Sequence, residues 1–228
     1  MVKKISVILA LAVSFYFPVL ALAEEEKPII QHVTGGIRIF SESGGRGGPF
    51  KEYYESGKLK TEGAEKDSKL EGPYKWYYES GQLQLEGVYK DGKREGPFKS
   101  YYESGKLATE GAYKNDKPEG LGKFYYESGQ LSNEYFYKDG KHEGSDKEYY
   151  ESGKLKTEGA YKNDKHEGPF KRYSESGQLT IEMTYKDSKL EGPYKWYYES
   201  GKLQEEGNYE DGKLVGKPKK YREDGSIM

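Results

Sequence analysis

Cysteine is absent from these 228 residues. That excludes disulfides, cysteine-ligated metals, cysteine nucleophiles and a lipid-modified N-terminal cysteine. Tryptophan occurs twice, histidine three times, and hydrophobic residues make up only 33%. Clustered cations are missing too: 37 Lys and Arg are finely mixed with 39 Asp and Glu. Nucleic-acid binding needs a basic patch that displaces counterions, so that partner class is not expected. No nucleophile–base set, phosphate loop or isolated acid pair is present, so no catalytic residues are assigned and no enzyme is expected. The acids recur at fixed intervals, whereas a catalytic site should occur once or break the repeat.

One long apolar run does exist. Lys3 and Lys4 precede an apolar stretch from Ile5 to Leu22, and Ala21-Leu22-Ala23 fits a cleavage site before Glu24-Glu25-Glu26. Residues 1–23 therefore read as a secretory signal peptide, with export to a bacterial periplasm, cell envelope or extracellular space. The mature chain, Glu24–Met228, would carry 35 basic and 39 acidic residues, a net of −4, and no transmembrane segment.

What the chain has in excess is tyrosine, 24 of them, and glycine, 30. They fall into a period. Glu-Ser-Gly recurs with its glycine at Gly57, Gly81, Gly105, Gly129, Gly153, Gly177 and Gly201, each 24 residues apart, and an altered copy ends at Gly225. Such an array stacks small units that bury surface only against their neighbours. Tyrosine, apolar in body and polar at its tip, suits a thin half-exposed sheet.

Within one unit, Gly72 to Glu95, two runs of aromatic and aliphatic residues are broken at Ser80-Gly81 and Asp91-Gly92. Both dipeptides are hairpin signals, and no helical period is present. A two-residue turn at Ser80-Gly81 pairs Glu79 with Gln82, Tyr78 with Leu83, Trp76 with Leu85, Lys75 with Glu86 and Tyr74 with Gly87. It puts Tyr74, Trp76, Tyr78, Leu83 and Leu85 on one face and Lys75, Tyr77, Glu79 and Glu86 on the other. It also pairs Glu55 with Lys58, Glu103 with Lys106, Glu151 with Lys154 and Glu199 with Lys202. For the second connection, a loop from Lys90 to Gly96 and a tight turn are equally compatible with the sequence. Three slots never vary: lysine at 51, 75 and onward to 219, tyrosine at 53 to 221, and glutamate at 62 to 206. Stacking turns each into a ladder.

The fold class is thus all-β, an elongated single-layer antiparallel β-meander of stacked 24-residue hairpin repeats. Seven repeats fill 48–215, a capping half-repeat fills 216–228, and 24–47 hold a leader followed by a degenerate half-repeat from Gly35. Two strands per unit give about 15 or 16 strands.

The pattern G-P-Y-K-x-Y-Y-E-S-G-x-L-x-x-E-G-x-Y-K-D-G-K-x-E-G resembles the MORN repeat variant, also called the YwqK-type antitoxin repeat, over Gly48 to Met228. The resemblance implies stacked antiparallel hairpins, no shared catalytic residues, and scaffolding or binding roles, sometimes at membranes.

Candidate binding residues are the aromatic ladder, Tyr54, Trp76, Tyr78, Tyr102, Phe124, Tyr126, Tyr150, Trp196 and Tyr198, suited to sugar rings or a lipid interface or else to a thin core. His142 and His166 share a slot in adjacent repeats, about 9–10 Å apart by strand spacing, which is long for a shared metal. No metal or cofactor is expected. The period is broken at Gly122, Tyr135-Phe136, Asp146 and Met183, where a groove or bend is expected. The leading functional expectation is an exported, non-catalytic scaffold that binds a protein or an envelope component. Glycan or lipid binding through the aromatic ladders is the alternative, with possible peripheral membrane contact. An antitoxin-like role is the third, and needs the chain in the cytoplasm.

Overall fold

The computed structural model describes residues 29–33, 36–40 and 47–228; the expected signal segment lies outside them. All regular structure among these residues is β-strand, in 21 segments from Ile29–Val33 to Lys213–Lys220. Four of the segments, Lys69–Leu70, Lys117–Pro118, Lys165–His166 and Lys189–Leu190, are two-residue leading pieces of the strand that follows. Every strand pairs antiparallel with the next along the chain, giving one meander in one sheet. Counting each split pair once leaves 17 strands, more than the expected 15 or 16. The difference lies at the beginning, where Ile29–Val33, placed in the leader by sequence, pairs with Gly36–Phe40.

The Glu-Ser-Gly connection differs from a two-residue turn. Tyr78 N donates to Gln82 O and Gly81 N to Tyr78 O, both at 2.8 Å. The loop therefore holds three residues, Glu79-Ser80-Gly81, with Gly81 in the left-handed region at φ +95°. This is the turn-plus-bulge hairpin that needs glycine at its last position. The longer loop shifts the pairing by one, so Tyr77 faces Leu83 instead of Gln84. Gln84 is then bulged out, and from Trp76 opposite Leu85 inward the expected register returns: Lys75 with Glu86, Tyr74 with Gly87. The same shift occurs in the other six repeats. Two side-chain placements change with it. Leu83 joins the face of Tyr77, and Glu55, Glu103, Glu151 and Glu199 fall inside loops instead of opposite lysines.

The second connection is tight. Asp91 and Gly92 have φ of +51° and +80°, a type I′ turn, with Lys90 opposite Lys93 and Tyr89 opposite Arg94. The next strand is extended by residues 95–97 before Phe98 meets Gly87, a bulge that absorbs the proline.

Transverse rows now define the two faces. On the polar face, Lys51, Glu62, Lys75, Glu86 and Lys99 alternate strand after strand. The glutamates bond less to these lysines than to tyrosines. Tyr77 Oη donates to Glu62, and the same bond joins Tyr101 to Glu86, Tyr125 to Glu110, Tyr149 to Glu134, Tyr173 to Glu158, Tyr197 to Glu182 and Tyr221 to Glu206, at 2.6–2.9 Å. Lysine ammonium groups reach the same glutamates only at 3.7–4.0 Å, at Lys75, Lys123 and Lys219. The invariant tyrosine and glutamate slots are therefore two ends of one inter-repeat bond. A third ladder runs along the tight turns, where Glu71, Glu95, Glu119, Glu143, Glu167 and Glu191 each accept the backbone N–H of the following turn at 2.8–3.0 Å.

The other face is aromatic and holds what core there is. Phe40, Phe50, Tyr74 and Tyr194 are its buried hydrophobic residues, with Leu70, Leu85 and Tyr89 packed against the first three. Rings lie over strand glycines. A Cβ on Gly63 would stand 2.9 Å from Tyr74 Cδ2 and 3.5 Å from Phe50, so no side chain fits beneath them.

Two outcomes follow. Gly63→Ala should cost about 1–3 kcal/mol by overpacking, read from the denaturant midpoint. The equivalent Gly111→Ala meets backbone alone, Gly122 Cα at 3.5 Å and Leu121 O at 3.8 Å, both ordinary contacts, and should fall within about 0.5 kcal/mol of wild type. Alkaline titration tests the tyrosine ladder. Burial, then the glutamate bond, pushes Tyr77, Tyr101, Tyr125, Tyr149, Tyr173 and Tyr197 up to about 12. Their stabilisation is complete below the unfolded phenol value near 10 and is lost as pH rises toward 12. Tyrosinate absorbance should lag the free-phenol curve and then rise together with loss of the sheet; a simple titration at pH 10 in the folded state would contradict the ladder.

Candidate binding surface

The nine candidate aromatics divide into two sets. Tyr54, Tyr78, Tyr102, Tyr126, Tyr150 and Tyr198 stand at the mouths of the three-residue loops, all half-buried. Each hydroxyl donates to a backbone carbonyl of the next repeat, of Tyr77, Tyr101, Tyr125, Tyr149, Tyr173 and Tyr221 respectively, at 2.5–2.9 Å. Their polar tips are committed to joining hairpins. Ser174 holds this position in one repeat and closes on its own loop instead, with its hydroxyl 2.7 Å from that of Ser176.

Trp76, Phe124 and Trp196 belong together on a transverse row of the aromatic face. The row runs Thr61, Trp76, Leu85, Ser100, Thr109, Phe124, Asn133, Glu148, Thr157, Arg172, Ile181, Trp196. Trp76 and Trp196 are 42% and 39% exposed, and each packs edgewise or tilted on the tyrosine two residues before it, at 5.5 and 5.7 Å. Neither indole nitrogen has a hydrogen-bond partner among the described residues.

The period breakers change the neighbouring row, where an aromatic ring normally faces glycine. In the fourth repeat the two are exchanged: Gly122 stands where a ring is usual, and Tyr135 where glycine is usual. Gly122 is thereby next to Gly111, and the bare backbone floors a small slot of about 90 Å³ between Phe98, Tyr113, Phe124 and Tyr137. One strand on, Tyr135 faces Asp146, which stands in the ring position of the fifth repeat. Met183 fills the glycine position opposite Phe170. Phe136 points to the opposite face, where it pairs with Leu121; the two are 41% and 46% exposed. Leu121 was not among the residues singled out from sequence. Its signal was there, since Pro occupies that slot in five of the seven repeats.

Asp146 is a poorly accommodated carboxylate on this face. Its Oδ1 is buried without a hydrogen-bond partner. Burial among rings, and then the charge of Glu148, raises its carboxyl to about 6. Asn133 Nδ2 donates to Tyr135 Oη at 2.7 Å, and Lys156 reaches Glu148 at 3.5 Å. His142 lies 5.1 Å from the rings of both Tyr135 and Tyr161 and 4.6 Å from Tyr137. Tyr161 separates the two histidines, and its hydroxyl contacts His166 Nε2 at 2.9 Å. Burial, then His142, holds His166 below the usual imidazole range. No group of three His, Cys, Asp or Glu side chains with metal-binding geometry occurs among the described residues.

A family model for the MORN repeat variant matches seven times, over residues 46–63, 70–91, 94–115, 118–139, 143–163, 167–187 and 190–211. The chain belongs to the MORN repeat variant family. No curated protein matches it. The matched segments follow the hairpin units, so this MORN repeat array is a repeat-type scaffold whose individuality lies in its departures from the repeat.

Asp146 should leave a mark on the pH dependence of stability. The folded chain holds this proton up to about pH 6, whereas the unfolded carboxyl releases it near the ordinary 3.8. Stability should therefore fall as pH rises from about 4 to about 6. Asp146→Asn should remove that slope and raise stability above pH 6, measured by chemical denaturation across the range. Glu148, Lys156, His142, Tyr135, Tyr137 and Tyr161 are retained in both proteins, so the difference between the two curves reports Asp146 together with its coupling to Glu148.

Proposed function

We propose that this MORN repeat protein is an exported, non-catalytic scaffold that presents its aromatic face to a protein of the cell envelope. The contrast between its faces carries the reading. On the polar face, tyrosine hydroxyls and glutamates satisfy one another through seven successive inter-repeat bonds. On the aromatic face, Trp76 and Trp196 remain about two-fifths exposed, on a single layer with nothing packed over it among the described residues. Exposed aromatics with an apolar body and a free polar tip are the residue types that anchor protein interfaces. The repeats supply length, and the period breakers supply a place where one register differs from the rest.

Export rests on the basic start, apolar run and Ala-Leu-Ala of residues 1–23. Among the described residues no helix is long and apolar enough to cross a membrane.

The test is co-sedimentation of the mature chain with the envelope of its own cells, at low and high salt, with and without prior removal of envelope proteins. Retention should survive high salt, disappear from protein-stripped envelope, and fall at least tenfold in Trp76→Ser/Trp196→Ser. Retention on stripped envelope would instead assign the aromatic face to a glycan or lipid. Retention unaffected by the tryptophan changes would remove the aromatic face from the account. N-terminal sequencing of the native protein should begin at Glu24.

A further inference from the structure

The junction between the degenerate half-repeat and the first repeat contains a worked arrangement for holding a guanidinium on this face. Arg38 pairs with Glu52 and with Glu65, the latter at 2.7 Å. Its guanidinium carbon stands 4.6 Å over the Phe50 ring and 5.9 Å from that of Phe40. Two rings and two carboxylates thus surround one cation. Arg94 shows the same preference in the second repeat, 4.0 Å over Tyr113 with Asp116 at 3.3 Å. Planar, weakly hydrated guanidinium suits such sites, since it stacks on rings while its edges meet carboxylates.

Four repeats later the same register positions carry the same chemical inventory. Phe40 faces Phe50, which faces Gly63; Tyr135 faces Asp146, which faces Gly159. Glu52 corresponds to Glu148, and Glu65, opposite Gly48, corresponds to Tyr161, opposite Gly144. One ring and one carboxylate have changed places, so two rings and two carboxylates stand again at these four positions. Arg38, opposite Glu52, corresponds to Asn133, opposite Glu148. The chain thus supplies the walls and carboxylates but no cation of its own at the corresponding position: Asp146 has no ion pair among the described residues, and its Oδ1 is buried with no donor. A carboxylate with one desolvated oxygen and no donor is costly, and a charge-assisted bond from outside to the other oxygen, Oδ2, offsets part of that cost.

We propose that Tyr135, Asp146, Glu148 and Tyr161 form a docking box for an arginine side chain of the partner protein. The proposal rests on the scaffold reading for its protein partner. Asp146 and Glu148 receive the guanidinium edge, Tyr135 and Tyr161 its faces, and His142 closes the side between the two rings. Lys156, which reaches Glu148 from the loop side, leaves the pair of carboxylates with a net negative charge at neutral pH. The site lies at the one register where aromatic and glycine positions are exchanged, so the array as a whole offers one such box and a fixed register for a long partner.

The probe is the peptide acetyl-Gly-Arg-Gly-amide, with its citrulline counterpart as the neutral isostere, titrated into the whole chain and followed by NMR. The arginine peptide should move the signals of Asp146, Tyr135 and Tyr161, and the citrulline peptide should not. Asp146→Asn should weaken arginine-peptide binding at least tenfold. Asn133→Arg provides an independent measurement without any ligand. It places a cation at the position corresponding to Arg38, should lower the carboxyl titration of Asp146 by at least one pH unit, and should block the peptide. Peptide shifts scattered over other acids, or an Asp146 titration unmoved by Asn133→Arg, would overturn the box. Those results would leave envelope retention through Trp76 and Trp196 standing, whereas loss of that retention with peptide binding intact would remove the scaffold reading alone.

Discussion

The bond from a tyrosine hydroxyl to the glutamate fifteen residues earlier is the contact on which the rest of the molecule leans. A single-layer sheet has no second layer to cover it, and only a few side chains here are fully buried. Each repeat must therefore be held by the one before it. Tyrosine does this with both of its parts: the ring covers the sheet, and the hydroxyl reaches across to the neighbouring unit. A phenol that donates to a carboxylate makes a short, charge-assisted bond, and phenylalanine could supply only the covering half. Two further ladders, tyrosine to carbonyl along one edge and glutamate to turn amide along the other, fix the same neighbours at three separate points across the strand.

Much of this architecture was legible in the sequence, because a strict period fixes which residues must lie side by side. The pairs Tyr74–Gly87 and Lys75–Glu86 follow from the 24-residue repeat and a hairpin at Ser80-Gly81. The loop itself did not. A two-residue and a three-residue turn both end in glycine, and here a bulge at Gln84 restores the register that the longer loop displaces. Counting outward from the turn therefore gave the correct strand body with an incorrect end, and misplaced Leu83. The tyrosine–glutamate bond was visible only as two invariant slots, since its donor and acceptor lie in different repeats and meet diagonally. Ion pairing between adjacent lysines and glutamates was the simpler reading, but the hydroxyl, being shorter and better shielded than an ammonium on a flexible stem, comes closer.

The candidate surface was legible in a different way. Nothing in a repeat marks one copy as functional, but a departure from the repeat does. Gly122, Tyr135 and Asp146 each look like a defect when taken alone. Placed in register they form a coherent exchange, in which a ring moves across the row, leaves paired glycines behind it and meets a carboxylate in front. The sequence shows that these positions are unusual. Only the pairing shows that they are neighbours, and that Asn133 stands where an earlier strand carries Arg38. The aromatic ladder, by contrast, resolved into residues with structural tasks, the loop tyrosines, and residues with surface to spare, Trp76 and Trp196.

Ser174 interrupts one of the three ladders. The carbonyl of Tyr197 receives no tyrosine hydroxyl from the preceding loop, whereas its counterparts in the neighbouring repeats do. In a filament-like molecule whose units touch only their neighbours, resistance to tension or to creeping unfolding is set by the weakest joint rather than by the average one. The array is thus divided mechanically into a long stiff segment containing the exchanged rings and a short terminal segment containing Trp196. At that joint Trp196 and the last repeat are held to the middle repeats by two ladders instead of three, through Tyr197 on Glu182 and the turn amide of Asp211 on Glu191.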